Sequence, residues 1–329
     1  MSQPFQFVEH NQQVYLRLQT KWLNADLIPA TPIAAKNTAA LDAFRASIAA
    51  WQARGYVIED ACALALFAYA SEKMHGESSL DNSLPKHDAY PQLIDLACGP
   101  RPSIKFSAMT NPRPGIYPIV DNLEHLAAML DAGAQILQLR IKSPSLTPEI
   151  GKQIRQAVEM GRNYPDCQLF INDYWQAAID EGAWGVHLGQ EDLLPANLDA
   201  IAKAGLRLGV SSHAYWEVAR ALTIKPSIVA CGPVFPTRVK AMPWIAQGTD
   251  NLRYWVNLIP YPVIGIGGVN AENLPQIHAT GCASASVIAA ITTDPNPGGA
   301  FRRLQAHWNA LDEQTSAKPE SVQLARPTL

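Results

Sequence analysis

The chain has 329 residues, 48% of them hydrophobic, with 26 basic and 29 acidic side chains and a formal net charge of −3. This length suits one large domain or two unequal ones, and the near balance of charge argues against a nucleic-acid-binding or other polyanion-binding surface. Five scattered cysteines without a CxxC pair predict a reducing compartment and neither a disulfide framework nor a structural zinc. The first residues lack a secretory pattern and no apolar stretch approaches a membrane span, so we expect a cytoplasmic protein that binds no membrane.

The first hundred or so residues form a region of their own. Segments 38–55 and 58–76 are rich in alanine, apolar along one face, and end at glycines, as helices commonly do. A polar, proline-bearing stretch follows, and then a connector up to residue 115. We therefore predict a small, mainly helical N-terminal extension over residues 1–105. The polar segment 313–329 is predicted to be a disordered tail.

Eight short apolar runs follow, separated by segments with helical periodicity. Strands that are apolar on both faces and alternate with helices indicate a parallel sheet. Eight such units predict the α/β class and a (β/α)8 TIM barrel over residues 106–312, whose chemistry lies on the loops after the carboxyl ends of the strands. The predicted strands are 116–120, 136–141, 168–171, 185–188, 206–210, 227–232, 262–268 and 283–290.

Polar side chains follow the predicted strands two to six. Carboxylates at two adjacent strand ends can share a hard cation such as Mg²⁺, which prefers carboxylates together with substrate phosphate oxygens. Three polar groups on one face of strand two would be costly to bury unless they meet a ligand or each other. The candidates, in chain order, are Gln138, Arg140, Lys142, Asn172, Asp173, Asp192, Ser211, Ser212, His213, Thr237, Arg238 and Lys240.

The ends of strands seven and eight predict a phosphate site. Gly267 and Gly268 let backbone N–H groups approach an anion closely, and the small residues Ser286 and Ala289 leave space beside them. With the charged groups of strands two to six, this predicts an enzyme that joins two phosphorylated molecules across one barrel mouth.

The residues alone leave simpler interpretations open. Asp173 and Asp192 could each cap a helix, as aspartate often does after a strand. Arg140 and Lys142 could form salt bridges around the barrel rim. His187 is interpreted as a core histidine, and His213 as a residue at the start of a helix.

The motifs QLRIK, FIND, GVHLGQEDL, GVSSH, GPVFPT with Lys240, and IGGV resemble, in order and spacing, those of the thiamine-phosphate synthase family over residues 115–295. The family is a group of (β/α)8 transferases. They couple 4-amino-2-methyl-5-hydroxymethylpyrimidine diphosphate with 4-methyl-5-(2-phosphoethyl)thiazole, giving thiamine phosphate and diphosphate. The resemblance implies the same small-molecule substrates here and a dissociative reaction with Mg²⁺ as cofactor.

The resemblance also implies a role for each matching residue. Asp173 and Asp192 would hold Mg²⁺. Charge on the departing diphosphate would be stabilised by the groups assigned to catalysis, which are Arg140, Lys142, Ser211 and Lys240. The pyrimidine diphosphate would be held by Gln138, Arg140, Lys142, Asn172, Ser211 and Lys240, and the thiazole phosphate by Thr237, Arg238, Val239, Gly268, Ile288 and Ala289.

The chain departs from the family pattern at three positions. Val239 stands where the family usually has a second threonine, Ile141 where it often has glutamate, and Ala289 where it often has serine. Two of these changes concern the thiazole phosphate site. Two alternatives to the synthase are therefore kept: a thiazole tautomerase of the same fold, and a non-catalytic sensor of thiamine precursors.

Segment 38–71 faintly resembles the last helices of hydroxymethylpyrimidine phosphate kinase. Because a complete kinase of that class needs over twice the length of this region, we expect a relict or packing domain without kinase activity. The sequence leaves open whether the protein forms a homo-oligomer.

Overall fold

The structure, a computed structural model, describes residues 4–76, 84–99, 104–237, 243–313, 322 and 327–329. Its N-terminal extension combines a four-stranded antiparallel sheet, whose strands lie side by side in chain order, with two helices and a short 3-10 helix (His87–Ala89). The elements are β1 (Phe5–His10), β2 (Gln13–Gln19), β3 (Asn24–Ile28), α1 (Thr38–Ala53), α2 (Ile58–His75) and β4 (Gln92–Asp95).

The sheet corrects the prediction of a mainly helical extension. Both predicted helices are present, and α2 ends at Gly76 in the left-handed conformation, with φ of 72°. The strands also carry a recognisable pattern, since Val14, Leu16 and Leu18 alternate along β2 and are buried. A period of two is typical of a strand with one face on a core.

The eight predicted barrel strands are confirmed. They are parallel and close into a barrel, in which the last strand pairs with the first through Ser284 and Gly115. The strands are β5 (Gly115–Val120), β6 (Ile136–Leu139), β7 (Gln168–Asn172), β8 (Gly185–Leu188), β9 (Arg207–Ser212), β10 (Ile228–Cys231), β11 (Val263–Ile266) and β12 (Ser284–Val287).

The helices lie between successive strands, and the last two follow β12. Two of them, α6 and α11, are single turns placed directly after a strand. The helices are α3 (Leu123–Asp131), α4 (Pro148–Arg162), α5 (Trp175–Asp180), α6 (Gln190–Leu193), α7 (Leu198–Lys203), α8 (Tyr215–Ile224), α9 (Gly248–Leu258), α10 (Leu274–His278), α11 (Ala289–Thr292) and α12 (Pro297–Asp312). Among the described helices, none is long and apolar enough to cross a membrane.

Two apolar cores support this arrangement. The smaller fills the barrel interior and includes Tyr117, Phe170 and Ile264. The larger runs between the barrel and its helices and continues into the extension, including Phe67 of α2 and Leu16 of β2. Side chains that fill a barrel of this size leave its chemistry to the loops at the carboxyl ends of the strands.

The extension packs on α8, on the outside of the barrel. Tyr90 donates a hydrogen bond from its hydroxyl to the carbonyl of Tyr215, at 3.0 Å. The backbone N–H of Leu93 donates to Thr223 Oγ1, at 2.9 Å. Both bonds tie the segment around β4 to α8, so the position of this helix depends on the extension.

The C-terminal segment contacts the same region. Thr328 is 1% exposed and donates from Oγ1 to Asp60 Oδ2 of α2, at 2.9 Å. Val322 is also buried. Val322 and Thr328 are therefore ordered, although we predicted a disordered tail over 313–329. The buried carboxylate of Asp60 offers Thr328 a partner. Residues 314–321 and 323–326 of that prediction lie outside the described part.

Candidate active site

A cavity opens at the carboxyl ends of the barrel strands. It collects residues from all eight strands or the loops that follow them, as the parallel topology predicts. The residues named from the sequence that line it are Gln138, Arg140, Lys142, Asn172, Asp173, Asp192, Ser211, His213, Thr237, Gly267, Ser286 and Ile288.

The remaining predicted residues lie beside this cavity or outside the described residues. Gly268 follows Gly267, which lines the cavity, and Ala289 follows Ile288 at the start of α11. Arg238, Val239 and Lys240 fall within 238–242, outside the described residues.

Strand two ends earlier than predicted. β6 stops at Leu139, so Arg140 and Lys142 belong to the loop that follows it. The backbone N–H of Arg140 still donates to the carbonyl of Val120, at 2.7 Å. This bond continues the pairing with β5 for one residue beyond β6. Both side chains line the cavity with Gln138.

Two carboxylates meet at one side of the cavity. Asp173 follows β7 and Asp192 lies in α6 after β8. Burial and the neighbouring carboxylate of Asp173 raise the pKa of Asp192 to about 6, with a smaller contribution from Glu191. Like charges held this close stabilise the protonated acid unless a cation sits between them.

The backbone holds Asp173 in an unusual conformation. Its φ is +62°, in the left-handed region that residues other than glycine rarely adopt. Its N–H donates to the carbonyl of His187 at 2.9 Å, and its Oδ2 accepts from Lys142 Nζ at 2.5 Å. Such strain is typical of functional sites, where the surrounding structure holds it in place.

The donor set at this position fits a hard divalent cation. Asp173 and Asp192 offer carboxylate oxygens, the ligands that Mg²⁺ prefers. Among the residues that the structure describes, no group of three or more His, Cys, Asp and Glu side chains is arranged to surround a metal. A cation here would therefore draw most of its ligands from water and substrate, which is common for Mg²⁺.

Cationic groups flank the carboxylates. Lys142 bonds to Asp173, which matches the rim salt bridge that the residues alone left open. Burial lowers the pKa of Arg140, while the charges of Asp173 and Glu191 act in the opposite direction. A partly desolvated guanidinium beside the carboxylates gives the cavity both signs of charge, which suits an anion bound together with a metal.

Several residues that line this cavity carry buried polar atoms without a partner among the described residues. They include Asn172 Nδ2, His187 Nδ1 and Ser286 Oγ. At the base, Gln138 donates from Nε2 to the Tyr117 hydroxyl, at 2.9 Å. Unpaired buried polar groups cost free energy, so these atoms favour a polar ligand deep in the barrel.

His187 and His213 match their simpler interpretations in part. His187 is buried, and this burial lowers its pKa to about 4, which keeps the ring neutral. Its Nε2 lies 3.0 Å from Ser211 Oγ, so the ring holds a predicted site residue. His213 precedes α8, and its Nδ1 lies 2.9 Å from Glu217 Oε2.

The loop after β11 lies tightly against the loop after β10. Gly267 and Gly268 have φ of +101° and +66°. A Cβ on Gly268 would come within 2.6 Å of the Pro236 carbonyl oxygen, and one on Gly267 within 2.7 Å of Pro233 Cα. Only glycine satisfies both the conformation and the space here, so these two residues allow the two loops to pack closely.

Sequence reasoning missed some residues of this region. Tyr117 and Glu191 line the cavity. Glu191 precedes Asp192 in the same acidic motif, and this position could have identified it as a site residue. Tyr117 lies in an apolar strand and gave no such signal.

A family model described as thiamine monophosphate synthase matches residues 116–291 of this chain. The thiamine-phosphate synthase of Photorhabdus laumondii is 47% identical over 188 residues, covering 56% of this chain and 85% of that protein. The one from Cronobacter sakazakii is 47% identical over 193 residues, covering 58% and 91%. These matches cover little more than half of the chain.

A solved structure shares the fold. Thiamine phosphate pyrophosphorylase from Pyrococcus furiosus superposes with a TM-score of 0.55 at 27% sequence identity, covering 62% of this chain and 99% of that one.

Proposed function

This chain belongs to the thiamine monophosphate synthase family, and from that membership we infer how its own residues act. It is a transferase that joins the hydroxymethylpyrimidine diphosphate to the thiazole phosphate, giving thiamine phosphate and diphosphate. We propose that residues 106–312 form the catalytic unit, with residues 1–105 as a packing domain that has no kinase activity.

The first step breaks the bond between the pyrimidine methylene carbon and the diphosphate oxygen. The electron pair leaves with diphosphate, and a short-lived pyrimidine-methyl cation remains. Arg140 and Lys142, with Lys240, stabilise the negative charge that grows on the departing group, and Ser211 and Asn172 donate hydrogen bonds to it. The unpartnered Asn172 Nδ2 supports this role.

Asp173 and Asp192 are the residues that would hold Mg²⁺. When bound, the ion neutralises charge on the diphosphate. The carboxylates orient this part of the site, and Lys142 keeps Asp173 in place through its 2.5 Å bond.

The second step forms the bond between the methylene carbon and the thiazole nitrogen. No side chain acts as a covalent nucleophile in this sequence of steps. Gln138 binds the pyrimidine ring at the base of the cavity. Gly268, Thr237, Arg238, Val239, Ile288 and Ala289 form the thiazole phosphate site.

The paired carboxylates support the proposal most strongly, because Asp173 and Asp192 follow adjacent strands and line the same cavity as Arg140 and Lys142. The test mixes the protein with both substrates and Mg²⁺ and follows thiamine phosphate as its fluorescent oxidised product. Asp173→Asn and Asp192→Asn are each expected to lower kcat/KM on the order of 10² to 10³ fold, and a chelator is expected to stop the reaction.

Asp180→Asn is the matched control. Asp180 is an exposed carboxylate at the end of α5, where its Oδ1 accepts only a surface hydrogen bond from Gln176. Its replacement is expected to leave the rate unchanged. Binding of either substrate without diphosphate release would contradict the synthase mechanism and favour the sensor.

A further inference from the structure

A buried chain of hydrogen bonds connects the extension to the active-site loop after β8. Asp95, at the end of β4, accepts from Arg220 of α8 through both carboxylate oxygens, at 2.5 Å from Nη2 and 3.1 Å from Nε. Arg220 Nη1 donates to Gln190 Oε1 at 2.6 Å. Gln190 Nε2 then donates to the carbonyl of Ser211, at 2.7 Å.

The three side chains that form this series of hydrogen bonds are all buried. Asp95 is 8% exposed, Arg220 5% and Gln190 7%. Charged hydrogen bonds in such surroundings are short and directional, and a bidentate arginine-carboxylate pair fixes the plane of the guanidinium. The orientation of Arg220 Nη1, the third guanidinium nitrogen, is therefore fixed, and Gln190 Oε1 lies where it can accept its hydrogen bond.

Gln190 lies in the loop region after β8, next to the carboxylates of the candidate active site. It is the first residue of α6, the single turn that also carries Glu191 and Asp192. The other end of its amide is bonded to Ser211, which belongs to β9. The Gln190 amide thus connects the strand-four and strand-five loops.

The extension also holds the helix that carries Arg220, α8, in position. α8 has Ala214 at its N-cap, which offers no side-chain cap, and Asp60 of α2 instead accepts from the N–H of Trp216 at 3.1 Å. Together with the bonds from Tyr90 and Leu93, this holds α8 against the extension. Arg220 is therefore fixed at both its backbone and its guanidinium.

We propose that Asp95 of the extension is a positioning residue for the barrel's active site, acting through Arg220 and Gln190 to hold the turn that carries Asp192. Its consequence for the reaction rests on the proposed function, because Asp192 matters there as a metal ligand. Groups that orient metal ligands from outside commonly change metal affinity or activity by 10- to 100-fold when they are replaced.

The test compares Asp95→Asn with Asp26→Asn. Asp26 lies on the neighbouring strand β3 and accepts a similar bidentate pair from Arg17, at 2.8 Å for both bonds, which stays within the extension. Amide hydrogen exchange is measured without substrates. Asp95→Asn is expected to speed exchange several-fold in residues 189–194, whereas Asp26→Asn leaves that segment unchanged.

Metal binding gives a second readout. Mn²⁺ is titrated by paramagnetic resonance in the presence of inorganic diphosphate, and the Mg²⁺ concentration for half-maximal rate is measured in parallel. Both affinities are expected to weaken on the order of tenfold in Asp95→Asn and to stay at the parent value in Asp26→Asn.

Loss of the carboxylate leaves a buried guanidinium unpaired, which can destabilise the whole protein. Gln190→Leu separates the two effects, since it keeps the Asp95–Arg220 pair and breaks only the connection to the loop. It is expected to reproduce the local exchange and the weaker Mn²⁺ binding. Unchanged exchange at 189–194 and unchanged Mn²⁺ affinity in a folded Gln190→Leu variant would overturn the inference, whether or not the protein couples the two substrates.

Discussion

The two carboxylates show how individual residues distinguish a site from a set of helix caps. Asp173 is not the cap of α5, whose N-cap is Tyr174, and its carboxylate instead accepts from Lys142. Asp192 lies within α6, whose N-cap is Gly189. The capping interpretation that the residues alone left open is therefore not what the structure contains. Their role as metal ligands stays a prediction.

Gly268 allows a test of the phosphate loop at the same scale. In Gly268→Ala, the positive φ costs about 1 to 2 kcal/mol, and the new Cβ meets the Pro236 carbonyl oxygen at 2.6 Å. We expect KM for the thiazole phosphate to rise about tenfold, in line with a loss of about 1.4 kcal/mol in binding. Steady-state kinetics with each substrate varied in turn measures this.

Gly281→Ala is the control for that variant. Gly281 has φ of +81°, but the nearest atom to a Cβ there is Val256 Cγ1, at 3.7 Å. It carries the same backbone strain without the clash and lies ahead of β12, away from the cavity. An equal rise in KM in both variants, or a rise only for the pyrimidine diphosphate, would exclude Gly268 from the thiazole phosphate site.

At the scale of elements, the pairing of β8 with β9 explains the place of His187. In the register of these strands, His187 lies opposite Gly209. A Cβ on Gly209 would overlap His187 Nδ1, so the glycine provides the room for the ring. The ring then reaches Ser211, two residues further along β9, with its Nε2.

Gly209→Ala is expected to displace this ring and to separate it from Ser211. Overfilling a packed interior costs about 1 to 3 kcal/mol of stability, and we expect kcat to fall about tenfold because Ser211 loses its partner. The measurement combines urea unfolding, kcat and the ring nitrogen signals of His187 in NMR spectra.

Gly265→Ala is the control that distinguishes the effect of overfilling the interior from the effect of moving the His187 ring. Its Cβ would meet Leu252 Cδ2 of α9 at 2.8 Å, on the outside of the barrel. It should lose comparable stability and keep kcat. If kcat falls equally in both variants, the connection from His187 to Ser211 has no special part in the reaction.

At the scale of the whole molecule, the extension, the barrel and the C-terminal segment meet at Asp60. This carboxylate is fully buried, accepts from the Trp216 N–H and from Thr328 Oγ1, and has Glu59 and Glu217 nearby. Burial raises its pKa to about 7, and the two hydrogen bonds oppose that shift. The contact among the three parts therefore depends on pH.

The direction of that dependence follows from proton binding. Between about pH 4, where an unfolded aspartate titrates, and about pH 7, the folded state holds a proton on Asp60 that the unfolded state has released. The contribution of this proton to the free energy of unfolding is complete below about pH 4. It is lost as the pH rises toward 7, by up to about 1.4 kcal/mol per pH unit.

Asp60→Asn should remove this dependence. The free energy of unfolding of the variant minus that of the parent is expected to rise by a few kcal/mol from pH 4.5 to 7 and to level off above that. Urea unfolding across this range measures it, with the exposed Asp42→Asn as control. A constant difference across the range would show that Asp60 is not protonated in the folded protein.

The sequence by itself determined the barrel and most of the candidate site. Strands such as β8 are apolar on both faces, because both faces of a parallel barrel strand are covered. The parallel order also puts every carboxyl end at one mouth, so the polar groups after consecutive strands, from Gln138 to Thr237, could be grouped without knowing any distance.

Only the tertiary structure decided how the extension meets this barrel. Asp95 and Arg220 are 125 residues apart, and Asp60 and Thr328 are 268 apart. The hydrophobic periods that predict helices and strands act over a few neighbouring residues. A buried pair formed across such distances has no local pattern, because each group loses its water when the two parts of the chain pack and that cost is offset only by the partner that the other part supplies.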